Sequence, residues 1–171
     1  MRQKLLRILL IVLLVAFNIG CDQVTKITAR NSLRGKGTVS VFGDFFVLHY
    51  VENEGAFLSF GSQWPELAQR LLLTVGPGIV VLALLVYILR SSTLRTAQLV
   101  AYSFIIGGGI SNIIDRIVFD GKVTDFMNLG IGKVRTGIFN FADLSVLAGV
   151  IILLFTLWTG KRKSGVGGDT A

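Results

Sequence analysis

Four stretches of this 171-residue chain carry no charged side chain: Ile8–Cys21, Leu71–Leu89, Thr96–Ile114 and Leu144–Gly160, of 14, 19, 19 and 17 residues. In hydrocarbon every backbone N–H and C=O must be paired within the protein, so an apolar segment crosses as a helix of roughly 17–25 residues. The second and third runs meet that length and the fourth sits at its lower limit. The first meets it once the helix starts near Leu5 and Arg7 snorkels to the surface. The chain is therefore expected to be an all-α membrane protein, a four-transmembrane-helix bundle spanning at about 5–21, 71–89, 96–114 and 143–160. Residues 1–160 would form one membrane domain and 161–171 a basic, disordered tail. Only 16% of the residues are charged and the mean hydropathy is +0.70, against about 25% charge in soluble domains.

The net charge of +7 first suggests nucleic acid, but its distribution points to a bilayer. The N-terminus (1–7), the connection 90–95 and the tail 161–171 hold eight of the seventeen cations and one of the ten acids. The rest of the chain holds nine of each sign. By the positive-inside rule the basic side is cytoplasmic, so both termini lie inside and the segments 22–70 and 115–143 face outward. Membrane lipid is the expected partner of the basic ends, with no nucleic acid. A single Cys and a single His exclude an internal disulfide and the usual zinc sites.

Within 22–70, Val39 to Val51 mixes β-branched and aromatic residues around a Gly43-Asp44 break and reads as one or two short strands. Being apolar on both faces, it is placed at the membrane surface. Pro65 fits the first turn of a short surface helix, 65–70, and Trp64 suits the interface. Gly76-Pro77-Gly78 predicts a kink. Gly107-Gly108-Gly109 predicts close helix packing, and residues 121–140 read as a loop with a small hairpin. The residues before Cys21, Asn18 and Ile19, argue against cleavage there.

The polar residues gather at the outward ends of the spans, where their cost makes them suspicious. Asp22 and Lys26 share a helix face at i, i+4 and suit either a helix-finishing ion pair or a site. Asn53 precedes Gly55-Ala56, either an ordinary turn or a place where backbone approaches a ligand. Asn112, Asp115 and Arg116 share a face, with Asp115 expected to stay ionised beside Arg116. Asp125 lies between apolar neighbours. Asn140 and Asp143 open the fourth span, where Asp143 also suits a helix cap. Asp125 and Asp143 flank one loop. Two carboxylates held close share a proton, and one then activates water while the other protonates a carbonyl. Spacing alone leaves a structural role for both open. His49 has no evident partner.

These clusters resemble the boxes of the bacterial lipoprotein signal peptidases, signal peptidase II. Asp22-Gln23-Val24-Thr25-Lys26 is similar to that family's first box and Asn53-Glu54-Gly55-Ala56-Phe57 to its second. Gly107–Arg116, Val123-Thr124-Asp125-Phe126 and Phe139-Asn140-Phe141-Ala142-Asp143 resemble the remaining three, in family order. Ser111 stands where Gly is frequent and Phe141 where an aliphatic residue is usual.

The resemblance implies an aspartic endopeptidase of the bacterial inner membrane that cuts prolipoproteins before a diacylglyceryl-modified cysteine. It implies no cofactor and no metal, and a monomer is expected. It makes Asp125 and Asp143 the catalytic pair, with Asp115 as a rival for the first role. Asp22, Lys26, Asn53, Asn112, Asp115, Arg116 and Asn140 would line and support the site. A transporter would need acids spread through the membrane depth. A scaffold would pair the outer acids with Lys26, Arg116, Lys133 and Arg135.

Overall fold

The computed structural model describes residues 1–56 and 60–165, with side chains through 159; the tail expected to be disordered from 161 is helical through Gly165, and its remainder, 166–171, lies outside the described residues. Four helices are long and apolar enough to cross a membrane: α1 (Arg2–Leu33), α2 (Glu66–Arg90), α3 (Thr96–Val118) and α4 (Phe141–Gly165). Between them lie strands β1 (Val39–Phe42), β2 (Phe46–Asn53), β3 (Val123–Ile131) and β4 (Val134–Arg135). The strands form one antiparallel sheet in the order β1-β2-β3-β4. The chain is a multi-pass membrane protein, mostly helical, with a small open sheet.

α1 is longer than its charge-free run. No Gly or Pro interrupts it between Cys21 and Leu33, so its 32 residues extend about 48 Å and carry Asp22 and Lys26 inside the helix rather than after it. Its buried residues, Ile11, Asn18, Asp22, Lys26, Ala29 and Leu33, recur three, four or seven apart and so form one stripe. The opposite face, including Leu9, Leu13 and Phe17, is exposed, as suits a surface turned to lipid.

The helix expected after Pro65 is continuous with the second span. Glu66–Gln69 passes through a π-helical stretch, Arg70–Val75, into Gly76–Arg90. Pro77 has no N–H to offer the carbonyl four residues back. The ladder shifts one residue ahead of it, where Gly76 N–H donates to Leu71 O. The break predicted at Gly-Pro-Gly is thus a π-bulge just before the proline.

α3 is the hub of the bundle. It is the least hydrophobic span, with mean hydropathy 1.4 against 2.2–2.6, yet 39% of its spanning window is buried against 11–17% for the others. A helix surrounded by protein can carry polar groups that lipid would reject. Its three glycines face three different helices. A Cβ on Gly107 would lie 2.7 Å from Asn18 of α1, one on Gly109 2.7 Å from Val81 of α2, and one on Gly108 would run into the Ala142 carbonyl of α4. The close packing expected of this run is realised on every side at once, which sets the last turns of α3 against the first turn of α4.

The 121–140 segment is more ordered than a loop. β3 is a central strand of the sheet, and its residues Val123–Phe126 are all buried. Phe126, Ala29 and Leu33 form a small core with Leu48 and Tyr50, which seats the sheet on the outer end of α1. β1, by contrast, is exposed throughout, with Val39, Val41 and Phe42 uncovered.

Candidate active site

A lysine organises the inner half of the site. Lys26, only 1% exposed, places its Nζ 2.7 Å from Asp22 Oδ2 and 3.1 Å from Asp115 Oδ2, and donates to Asn112 Oδ1 at 2.8 Å. An ammonium has three donors, and all three are used. Both acids are fully buried. Ser111 Oγ donates to Asp22 Oδ2 and the Ala142 N–H to Asp22 Oδ1, each at 2.7 Å. Gln23 Nε2 and the Thr124 N–H complete Asp115, at 2.9 and 3.0 Å. Buried charge persists only when paired and hydrogen-bonded. This cluster meets that condition and ties α1, α3, α4 and β3 together.

The sequence suggests Arg116 as the cation beside Asp115; the cation that meets it is instead Lys26. Neighbouring residues on a helix diverge in direction, so Arg116 turns away from Asp115. It donates to Gly55 O at 3.0 Å and to Asn112 O at 3.4 Å. Its Nε is buried without a partner, and it has no ion-pair partner among the described residues.

Arg116, Asp125 and Asp143 face a cavity of about 200 Å³, whose wall also holds Asn53, Asn112, Asn140, Val123 and Ile138. Asp125 comes from β3, opposite Val51, and Asn53 of β2 pairs with Val123. Asn53 and Asp125 are therefore diagonal neighbours on one sheet face, and Asn53 Nδ2 donates to Asp125 Oδ2 at 2.8 Å. The Asn53 amide is aimed by its own turn, since its Oδ1 accepts the Gly55 N–H at 2.9 Å. The turn and the site readings of Asn53 are one arrangement.

Asn140 and Asp143 cap α4 reciprocally. The Asp143 N–H donates to Asn140 Oδ1 at 3.0 Å, and the Asn140 N–H to Asp143 Oδ2 at 3.1 Å, the geometry of a capping box. With its oxygen so engaged, Asn140 turns Nδ2 to Asp125 Oδ1 at 2.7 Å and Asn112 Oδ1 at 3.1 Å. Asn112, its oxygen held by Lys26 and Asn140, turns Nδ2 to Asp143 Oδ1 at 3.0 Å. The cap expected of Asp143 is present, and Asp143 lines the cavity as well.

The four acids of the site, three buried and Asp143 half-buried, thus fall into two kinds. Asp22 and Asp115 share an ammonium. Asp125 and Asp143 accept hydrogen bonds only from amides, and Asn140 bridges them. Burial pushes the Asp125 carboxyl up, as does the Asp143 charge, while the Asn53 and Asn140 amides pull it down. It settles at about 6. Such a pair near a polar cavity is suited to exchanging a proton with water and a carbonyl.

All nine residues singled out in the sequence converge here. Ser111 and Gln23 were missed as participants. Ser111 lies one turn before Asp115, a spacing that signals a shared face. Gln23 is adjacent to Asp22, and no periodicity marks its reach to α3. His49 has a partner after all, with Nδ1 3.0 Å from Thr38 Oγ1. Arg135 pairs with Asp44, not with the cavity acids.

A family model described as signal peptidase (SPase) II matches residues 13–159. A lipoprotein signal peptidase of Psychromonas ingrahamii is 35% identical over 158 residues, covering 90% of this chain and 87% of the relative. One of Sphingopyxis alaskensis is 37% identical over 167 residues, covering 96% and 92%. A solved structure described as a bacterial membrane enzyme superposes with a TM-score of 0.77 at 25% identity, covering 94% of this chain and 93% of the other. A second, similarly described, gives 0.72 at 27% identity and covers 94% of each.

Proposed function

This chain belongs to the signal peptidase II family, and from that premise we propose that Asp125 and Asp143 are the catalytic dyad of an aspartic endopeptidase that removes signal peptides from prolipoproteins. The observation that carries the assignment is the division of the acids. Asp22 and Asp115 are ion-paired with Lys26, whereas Asp125 and Asp143 make no ion pair among the described residues and line the cavity. A scaffold that used its outer acids as ion pairs would not leave these two without one.

The substrate is a prolipoprotein whose cysteine already bears diacylglycerol, cut on the N-terminal side of that cysteine. Its acyl chains remain in lipid beside the spans, and its signal helix lies against them. The sheet and the first turns of α2 border the scissile segment.

Burial pushes the Asp143 carboxyl up as well, and the Asn140 and Asn112 donors pull it back; at the N-terminus of α4, where negative charge is favoured, it is assigned the charge of the pair and accepts a proton from water. Asp125, raised to about 6, holds the shared proton and donates it to the scissile carbonyl oxygen. The water oxygen bonds to the carbonyl carbon and a tetrahedral intermediate forms. Its collapse breaks the C–N bond, the cysteine amine takes the proton from Asp143, and Asp125 recovers its own. Arg116 adds fixed positive charge to the cavity wall, which favours the oxygen as it becomes negative. The Lys26 cluster acts through Asn112 by fixing which way its amide points.

The excess of cations at 1–7, 90–95 and 161–171 supports cytoplasmic termini and a dyad near the outer face of the inner membrane.

The test is cleavage of a diacylglyceryl-modified prolipoprotein by the purified protein in lipid, with chelator present. Wild type should cut. Asp125→Asn and Asp143→Asn, each folded, should lose at least about a thousandfold in rate, the scale of lost acid–base catalysis. Near-normal cleavage by Asp143→Asn, or loss with Asp115→Asn alone, would overturn the assignment.

A further inference from the structure

At the end of the bundle remote from the carboxylates, α1 and α2 enclose a larger cavity of about 640 Å³. Arg7 and Asp22 stand about 22 Å apart along α1 at its rise per residue, so this cavity is separate from the dyad. Its apolar wall includes half-buried Ile8 and exposed Leu89, over a closed floor of Ile11 and Ile88. Its polar wall includes Lys4 and Arg7 of α1, Arg90 at the end of α2, and Ser91.

Arg7 is fixed across the gap, with Nη2 donating to Ile88 O at 3.3 Å. None of the three cations has a carboxylate partner among the described residues. The sequence places no acid between Met1 and Cys21, nor between Leu67 and Ile114. Three like charges around one cavity repel each other unless an anion lies between them. Guanidinium and ammonium groups both hydrogen-bond phosphate oxygens. The apolar wall offers nothing to a free phosphate, but it accepts a hydrocarbon chain.

We propose that this cavity binds one anionic phospholipid. Its phosphate lies among Lys4, Arg7 and Arg90, and an acyl chain runs along Ile8 and Leu89. The site tethers the start of α1 to the end of α2 from the lipid side. Basic pockets between membrane helices take acidic headgroups by the same electrostatics.

The experiment is native mass spectrometry of the full chain, released from mixed micelles holding phosphatidylglycerol and phosphatidylcholine with the same acyl chains. One phosphatidylglycerol should be retained per chain, preferred roughly tenfold or more, as expected when about three cations meet one phosphate. Phosphatidylglycerol should raise the Tm, and phosphatidylcholine and inorganic phosphate should not. K4Q/R90Q, which leaves the Arg7 contact in place, should lose the preference. R95Q, a cation at the same end that does not line the cavity, should keep it. Equal retention of both lipids by wild type overturns the proposal, and that comparison needs no variant to fold. An unchanged preference in K4Q/R90Q overturns it too. A Tm rise with inorganic phosphate equal to that with phosphatidylglycerol overturns the lipid as occupant.

Discussion

Replacing Asp125 with asparagine should change how stability responds to pH, in a direction and amount set by its surroundings. The folded carboxyl titrates at about 6 and an unfolded one near 4. Between those values the folded protein holds a proton that the unfolded chain releases. Low pH therefore favours folding: the stabilisation is complete below about pH 4 and is lost as pH rises through about 6. A difference of about two pH units at about 1.4 kcal/mol each amounts to about 3 kcal/mol.

The asparagine side chain has no proton to exchange, so the stability of Asp125→Asn lacks this dependence. The new amide would face the Nδ2 donors of Asn53 and Asn140, at a cost of about 1–3 kcal/mol that does not vary with pH. Acids remote from the cavity titrate alike in both proteins and cancel in the difference. The assay is unfolding of wild type and Asp125→Asn in mixed micelles from pH 4 to 7.5. Wild type should lose about 3 kcal/mol relative to the variant across that range. Parallel curves would refute both the raised carboxyl and the proton assigned to it.

Cleavage should follow the same proton: kcat/KM should fall as pH rises above about 6, and a rate–pH profile on a soluble lipopeptide substrate reads this directly. Lys26→Met should destabilise the protein by about 3–5 kcal/mol, because Asp22 and Asp115 are left buried without a cation; denaturant unfolding measures the loss. Gly108→Ala should cost about 1–3 kcal/mol by forcing α3 from the Ala142 carbonyl, with a lower Tm and slower cleavage. Ser111→Gly removes a donor to Asp22 but leaves Lys26 in place, so it should cost only about 1–2 kcal/mol and keep the cleavage pH profile unchanged.

Much of the site was legible because its residues lie near helix ends at spacings of three and four, where periodicity says which side chains share a face. Asp22 with Lys26, and Asn140 with Asp143, are of that kind. The partner of Asp115 was not legible. A neighbour in sequence, Arg116, suggested itself, but consecutive helical residues diverge, and the ammonium that reaches Asp115 comes from another helix. The orientation of the amides was equally hidden. Asn53, Asn112 and Asn140 each have a donor and an acceptor end, and only the groups fixed around them decide which end meets a carboxylate. The 121–140 segment, rich in glycine, reads as a loop because its strand character depends on pairing with β2.

The sequence by itself determined that this chain crosses a membrane four times, because the requirement that hydrocarbon imposes on a backbone is local and depends only on run length and charge. It also determined which polar residues are out of place in such a chain, since burial cost is a property of the side chain. Only the tertiary structure decided which acids are paired with a cation and which remain available. That depends on where one ammonium sits relative to four carboxylates drawn from three helices and a strand. Three consecutive glycines on α3 fix those distances by letting three helices approach at once, and no spacing along the chain records the result.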